Sequence, residues 1–257
     1  MTGISVFMVI GVATFTLLHG CDDTTAVSVE DDVKTLKDKV AALEFQVRQL
    51  LGGNLMQARR SCSDWFRDGF VTSGNYLIDP DGLRGVSDFL VWCDMTLVPP
   101  IAVVHHNKEN RTLVTGFEGK GAYIYEVAYA SSSQHIRALM ARSGPCHQQL
   151  KYECRGAIIE TSLNGSGTYS YWIANGQKVT SYWPGGNAQL GGCACYQTKS
   201  CAGGKKCNCD MNDLVWREDS GLVTDKDVLP ITGLRIGDTG DAGEKAYPTL
   251  GPLMCEN

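Results

Sequence analysis

The 257-residue chain lacks the short motifs that carry much of catalytic chemistry. It has no H-E-x-x-H, which would set two zinc-binding histidines on one helix face. It has no G-x-S-x-G nucleophile turn and no glycine-rich phosphate loop. Basic residues are outnumbered, 23 Lys and Arg against 28 Asp and Glu, for a net charge of −5. No basic stripe or cluster interrupts that balance, which argues against nucleic acid as a partner. Long apolar runs are scarce. The run Ile4–Leu18 is uncharged but shorter than the about 20 residues a membrane span needs. These absences point away from an enzyme, a nucleic-acid binder and a stable membrane span in the mature chain.

Hydrophobic residues at 43% and charged residues at 20% describe an ordinary globular protein. The 29 glycines predict many turns and little long helix in the main domain, and the 11 cysteines make the compartment decisive. In a reducing cytosol they would suggest metal sites; in an exported chain they suggest disulfides. The apolar run, closed by small Gly20, predicts a signal peptide over residues 1–20 and a mature chain opening at Cys21. No Lys or Arg precedes the run, so an uncleaved signal anchor stays open. So does a bacterial lipoprotein box at Leu18-His19-Gly20-Cys21. The sequons Asn110-Arg111-Thr112 and Asn164-Gly165-Ser166 accord with export and mark Asn110 and Asn164 as glycosylation candidates.

A short spacer, residues 21–27, leads into a heptad pattern over residues 28–53. Val29, Val33, Leu36, Val40, Leu43, Val47 and Leu50 recur in alternating steps of four and three. With Val33, Val40 and Val47 at position a, Leu36, Leu43 and Leu50 sit at position d, the pattern of parallel two-stranded coiled coils. Asp32 would face Lys37 of a neighbour, and Lys39 would face Glu44. Ser28 and Asp31 resemble an N-terminal cap, and Gly52-Gly53 ends the helix. An amphipathic helix packed on the main domain is the alternative, and three heptads leave dimer and trimer open. Ten cysteines lie beyond the helix and one, Cys21, before it. An odd cysteine in an exported chain predicts an interchain disulfide, so a homo-oligomer through residues 29–50, stapled at Cys21, is expected.

Residues 60–257 read as short strands and turns. Alternation marks strands at Gly74–Ile78, Phe89–Trp92, Ala122–Tyr129 and Thr168–Ile173. Ser133–Arg142 is the helix candidate, with Ile136, Leu139 and Met140 on one face. The predicted class is α+β: an N-terminal coiled-coil helix, then a disulfide-rich domain of sheet and loops.

The segment Ser73-Gly-Asn-Tyr-Leu-Ile-Asp-Pro-Asp-Gly82, flanked by Cys62 and Cys93, resembles the opening of fibrinogen-like domains and fibrillar-collagen C-propeptides. Phe89-Leu-Val-Trp-Cys-Asp-Met95 is similar to the fibrinogen-like region of contactin-associated proteins. So are Cys146-His-Gln-Gln-Leu-Lys-Tyr-Glu-Cys154, the Cys193-Ala-Cys195…Cys207-Asn-Cys-Asp210…Trp216-Arg217 block, Asp225–Pro230, Ile236–Thr239 and Gly251–Cys255. The resemblance spans nearly the whole region and implies a fibrinogen-like domain with an extracellular recognition role. It also implies the disulfide Cys62–Cys93. Proximity along the chain adds Cys146–Cys154. Cys193, Cys195, Cys201, Cys207, Cys209 and Cys255 leave fifteen pairings, with Cys255 expected to tie back the C-terminus. Zinc is the competing reading of the paired C-x-C motifs, but structural zinc sites use wider spacing.

Asp79, Asp81 and Asp88 are candidate calcium ligands, because related propeptides bind calcium in a similar loop. A β-turn whose Asp caps its own backbone is the alternative. Asp238, Asp241 and Glu244 form a second acidic loop, read as solvated. His105-His106 reads as a surface pair, and a Cys146–His147 nucleophile pair would be lost to a disulfide. Tyr169, Tyr171, Trp172, Tyr182 and Trp183 are either a binding face or the core of a second sheet. The expected function is a secreted, oligomeric glycoprotein of cell adhesion or the extracellular matrix, binding a protein or glycan. A calcium-dependent lectin of fibrinogen-related type and a self-associating matrix protein are the alternatives.

Overall fold

The computed structural model describes residues 57–257 except Arg84, together with Val33, Leu36, Lys37, Lys39, Val40 and Leu43, which are helical. The chain divides into two compact units, Met1–Met56 and Gln57–Asn257. The signal peptide, the spacer, Cys21 and most of the heptad segment lie outside the described residues. At the described heptad positions Val33, Leu36, Val40 and Leu43 are 44 to 60% exposed. Among the described residues, no helix is long and apolar enough to cross a membrane.

The second unit is built on two antiparallel sheets. In chain order its strands are β1 (Gly74–Ile78), β2 (Phe89–Asp94), β3 (Ile101–Val104), β4 (Tyr123–Glu126), β5 (Cys146–Arg155) and β6 (Tyr171–Ala174). Then come β7 (Gln177–Val179), β8 (Arg217–Val223), β9 (Ile231–Ile236), β10 (Lys245–Leu250) and β11 (Leu253–Glu256). Helices α1 (Cys62–Arg67), α2 (Ser133–Arg142) and α3 (Ala194–Gln197) interrupt them. The larger sheet runs β1-β2-β3-β11-β5-β10, with β8 on the free side of β5; the smaller runs β4-β9-β6-β7.

Local sequence explains much of this. Helix α2 occupies the predicted span: Ser132 caps it through the His135 N–H, and Ile136, Leu139 and Met140 are buried. The alternation in Gly74–Ile78 and Phe89–Trp92 becomes β1 and β2, paired Gly74 to Cys93. The run expected at Thr168–Ile173 starts later, at Tyr171, because Tyr169 and Ser170 spend their N–H groups on the Ile159 carbonyl.

Strand β5 organises the large sheet. Cys146, Gln148, Leu150, Tyr152 and Cys154 point inward and are buried, while the alternate residues face out. β10 and β11 follow one another along β5, separated at Gly251, whose N–H donates to the Gln149 carbonyl at 2.8 Å. The buried Gln148 amide then ties both sheets together. Its Oε1 accepts the Ile231 N–H at 3.0 Å, and its Nε2 donates to the Gly251 carbonyl at 2.8 Å and the Tyr129 hydroxyl at 2.9 Å. That hydroxyl donates to the Ile231 carbonyl at 2.7 Å. Burial raises the Tyr129 pKa, so the hydroxyl keeps its proton at any physiological pH.

Five disulfides lock the domain: Cys62–Cys93, Cys146–Cys255, Cys154–Cys209, Cys193–Cys207 and Cys195–Cys201. The expected Cys146–Cys154 pair is corrected. Both residues lie on the same face of one extended strand, eight positions and therefore about 27 Å apart, far beyond the roughly 7 Å reach of a disulfide. Their partners come instead from neighbouring elements: Cys255 is the direct cross-strand partner of Cys146, and Cys209 lies 5.9 Å from Cys154 between Cα atoms.

Replacing Gln148 by Met keeps its shape but strands the Ile231 N–H, while the Tyr129 hydroxyl keeps the Ile231 carbonyl. A loss of about 1–3 kcal/mol is expected, read from urea unfolding midpoints. Disulfide removal should rank by loop length in the same assay. Paired Cys→Ala changes at 146 and 255, closing a sequence separation of 109, should cost about 4.8 kcal/mol. Those at 195 and 201, with a separation of 6, should cost about 2.4 kcal/mol on the chain-entropy relation. Equal losses would show that loop entropy does not govern this domain.

Candidate functional site

The outer face of the large sheet assembles a row from three strands. Tyr247 of β10 pairs with Glu153 of β5, which pairs with Glu218 of β8. Outward alternation puts all three side chains on the solvent side. The segment following Asn110 adds Arg111 beyond β10, held there because Thr112 and Val114 donate their N–H groups to the carbonyls of Pro248 and Ala246. Trp216, in the turn before β8, completes the group and remains 49% exposed.

These residues surround a groove of about 400 Å³ lined by Arg111, Glu153, Trp216, Arg217 and Glu218. The Trp216 and Tyr247 rings lie 5.6 Å apart, tilted by 37°. The Arg111 guanidinium covers Tyr247 at 3.4 Å from the ring centre, a cation–π contact. It also donates to both oxygens of Glu153, at 2.7 and 3.3 Å. Arg217 binds Asp213 in the same two-pronged way, at 3.0 and 2.6 Å. Hydrogen bonds from Arg111 hold the Glu153 carboxyl below its ordinary pKa, and Arg217 does the same for Asp213. Such exposed pairs contribute little to stability, but they fix the orientation of two guanidinium planes beside an exposed indole.

The aromatic set read as either a binding face or the core of a second sheet falls partly in the core. Trp172 and Trp183 are fully buried, the first donating its indole N–H to the Tyr182 carbonyl and the second packed edge-on against Tyr152. Trp216, which is exposed, lies outside that set and packs beside the half-buried Tyr247. Trp216 is the last residue of the apolar triplet Leu214-Val215-Trp216, and all three are exposed. That local signal was available in the sequence; Tyr247 had none until β10 was placed.

The expected calcium ligands are also corrected. Asp79, Asp81 and Asp88 are not gathered into a ligand set. Asp79 accepts the Gly82 N–H at 2.8 Å, and both oxygens of Asp81 accept the Val86 N–H, so two of the three carboxylates close their own turn. Among the described residues, the carboxylates that converge are Glu118, Asp238 and Glu244, whose ligating atoms lie within 4.8 Å of one another. Their hard oxygen donors suit a divalent cation. Asp238 and Glu244 come from the acidic loop first read as solvated, yet Asp238 is only 7% exposed. Cys193, Cys207 and Asp219 also lie within that distance, but the two sulfurs are bonded to each other.

The remaining candidates have defined surroundings. His106 donates through Nε2 to the Gly251 carbonyl and accepts the Lys108 N–H at Nδ1; burial lowers its pKa. His105 pairs with Glu109. Cys146 is bonded to Cys255 and offers no thiol to His147. Asn110 and Asn164 are both exposed, and the Asn164 carbonyl oxygen accepts from Ser162 and Ser166.

No family model matches the chain. It is 34% identical to human contactin-associated protein 1 over 199 residues, which cover 77% of this chain and 14% of that protein. Rat contactin-associated protein 1 matches at 35% over 185 residues, 71% of this chain and 13% of the relative. Neurexin-4 of Drosophila melanogaster matches at 33% over 189 residues, 71% of this chain and 15% of the relative. The chain thus spans about one seventh of the length of these curated relatives. The similarity and the five disulfides mark an extracellular-type domain of the kind shared by contactin-associated proteins and Neurexin-4.

Burial, opposed by a hydrogen bond from the Ile158 N–H and aided by the nearby Glu244, Glu118 and Asp241, raises the Asp238 pKa to about 6. The folded state therefore favours the neutral acid. The stability this contributes is complete below the unfolded value of 3.8 and is lost as pH rises through about 6. Asp238→Asn keeps an acceptor for Ile158. In calcium-free buffer it should stabilise the domain by about 1–3 kcal/mol at pH 7 and give no gain at pH 4. Urea midpoints of both proteins at both pH values test this, and an equal gain at each would contradict it.

Proposed function

We propose that this chain is a secreted, non-catalytic recognition protein whose fibrinogen-like head binds an extracellular protein through the groove at Trp216, and whose heptad segment joins copies into an oligomer. The observation that carries the reading is the exposed Trp216 packed beside the half-buried Tyr247 and flanked by two oriented arginines on a disulfide-locked sheet. Trp, Tyr and Arg are the residues in which binding energy concentrates at protein interfaces. Protein is favoured over glycan because one relative is named for its association with a protein, contactin. Oligomerisation draws on the exposed valines and leucines of the heptad helix and on Cys21 ahead of it. A second copy would cover that apolar seam, and joined heads would turn weak contacts into avid ones. Adhesion between cells or to matrix is the setting such an arrangement serves.

The test uses the full secreted chain. Gel filtration with light scattering should give an oligomer, and non-reducing electrophoresis a covalent one that Cys21→Ser abolishes. Binding to cells should be lost after the cells are treated with protease and should survive both glycosidase and a calcium chelator. Trp216→Ala and Arg111→Ala should each weaken it by about 2 kcal/mol or more, roughly thirty-fold in Kd. Binding that disappears with chelator or glycosidase would replace this reading with the lectin. Concentration-dependent assembly without any cell binding would replace it with the self-associating matrix protein.

A further inference from the structure

Resting on the groove reading above, we propose that N-glycosylation of Asn110 controls access to the groove: with a glycan there, the Trp216–Tyr247 platform is closed to a protein-sized partner, and without one it is open.

The sequon is part of the groove wall. Its middle residue, Arg111, is the one whose guanidinium covers Tyr247 and grips Glu153. Its third residue, Thr112, donates its N–H to the Pro248 carbonyl at 3.1 Å and its hydroxyl to the Asn110 carbonyl at 3.0 Å. Val114 continues the lacing to Ala246 at 2.8 Å. The backbone of the exposed Asn110 is therefore held at the rim of the groove. Bond lengths place its Cα no more than roughly 14 Å from the centre of the Tyr247 ring.

A stable protein interface buries about 800 Å² on each partner, a disc reaching roughly 16 Å from its centre. A partner centred on the Tyr247 ring reaches Asn110 as well. A glycan is bulky and strongly hydrated, and burying its polar groups without new partners is costly. Its position would also break the rim that excludes water from a binding centre. The other sequon supplies a comparison. Asn164 sits in a turn, its side-chain oxygen bonded to Ser162 and Ser166, and neither it nor these partners line the groove.

The probe is a Fab selected against the full Asn110→Gln chain and retained only if Trp216→Ala abolishes its binding. Wild-type chain secreted from glycosylating cells is compared with Asn110→Gln and Asn164→Gln, with glycan occupancy read by intact mass. The Fab is expected to bind the Asn110-glycosylated chain at least tenfold more weakly than Asn110→Gln. Enzymatic removal of the glycans should restore binding, and Asn164→Gln should behave as wild type. Equal affinity for the glycosylated chain and Asn110→Gln overturns the inference, as does secreted protein with no glycan on Asn110. The two proposals separate cleanly. If Trp216→Ala abolishes cell binding but glycosylation does not affect the Fab, only the control by Asn110 falls. If glycosylation blocks the Fab but Trp216→Ala leaves cell binding intact, only the groove reading falls.

Discussion

The fold depends on one buried amide. Gln148 sits on the inward face of β5 near its start, fully buried, where an unpaired polar group would be costly. Its carbonyl accepts from the start of β9 in the small sheet, and its amide reaches the break between β10 and β11 in the large one. Tyr129 closes the circuit to β9. Because each member is satisfied, the network sets the small sheet against the large one in a single arrangement, which apolar packing alone specifies less sharply. The placement of β10, and with it Tyr247, follows from that constraint.

Cross-links support a domain whose interior contains many turns. Two of the five disulfides start from the two ends of β5, one crossing to β11 and one to the 209–211 turn. The segment from Cys193 to Cys209 has little regular structure, and two short bridges close it on itself. Asp219, inside β8, then fastens it to the sheet by accepting the N–H groups of Asn208 and Cys209. Burial pushes this carboxyl up to about 6, so the fastening costs least when the acid is neutral. Trp216 lies between this cross-linked segment and β8.

The groove proposed for recognition differs from a core. Its charged groups are already paired with one another, Arg111 with Glu153 and Arg217 with Asp213. A partner therefore meets oriented planes with little net charge, and specificity has to come from shape and hydrogen-bond geometry rather than from long-range attraction. The acidic cluster of Glu118, Asp238 and Glu244 is the opposite case. Like charges are held close by the backbone, and the fold tolerates them by favouring the protonated form of Asp238.

Local pattern was enough to determine several parts of this protein. Alternation located β1 and β2, and capping and periodicity located α2, because each depends on residues within a turn or two of one another. The cysteine count pointed to disulfides, though not to who bonds whom. Tertiary structure alone decided the rest. Cys146 and Cys154 are near in sequence yet far apart in space because an extended strand separates them, while Cys255 meets Cys146 through strand pairing. Glu118 joins Asp238 and Glu244 from a distant loop, and Trp216 meets Tyr247 and Arg111 only because β5 holds β8 and β10 on opposite sides. Contacts between segments far apart along the chain leave no periodic trace in it, since they are set by which strands pair and in which register.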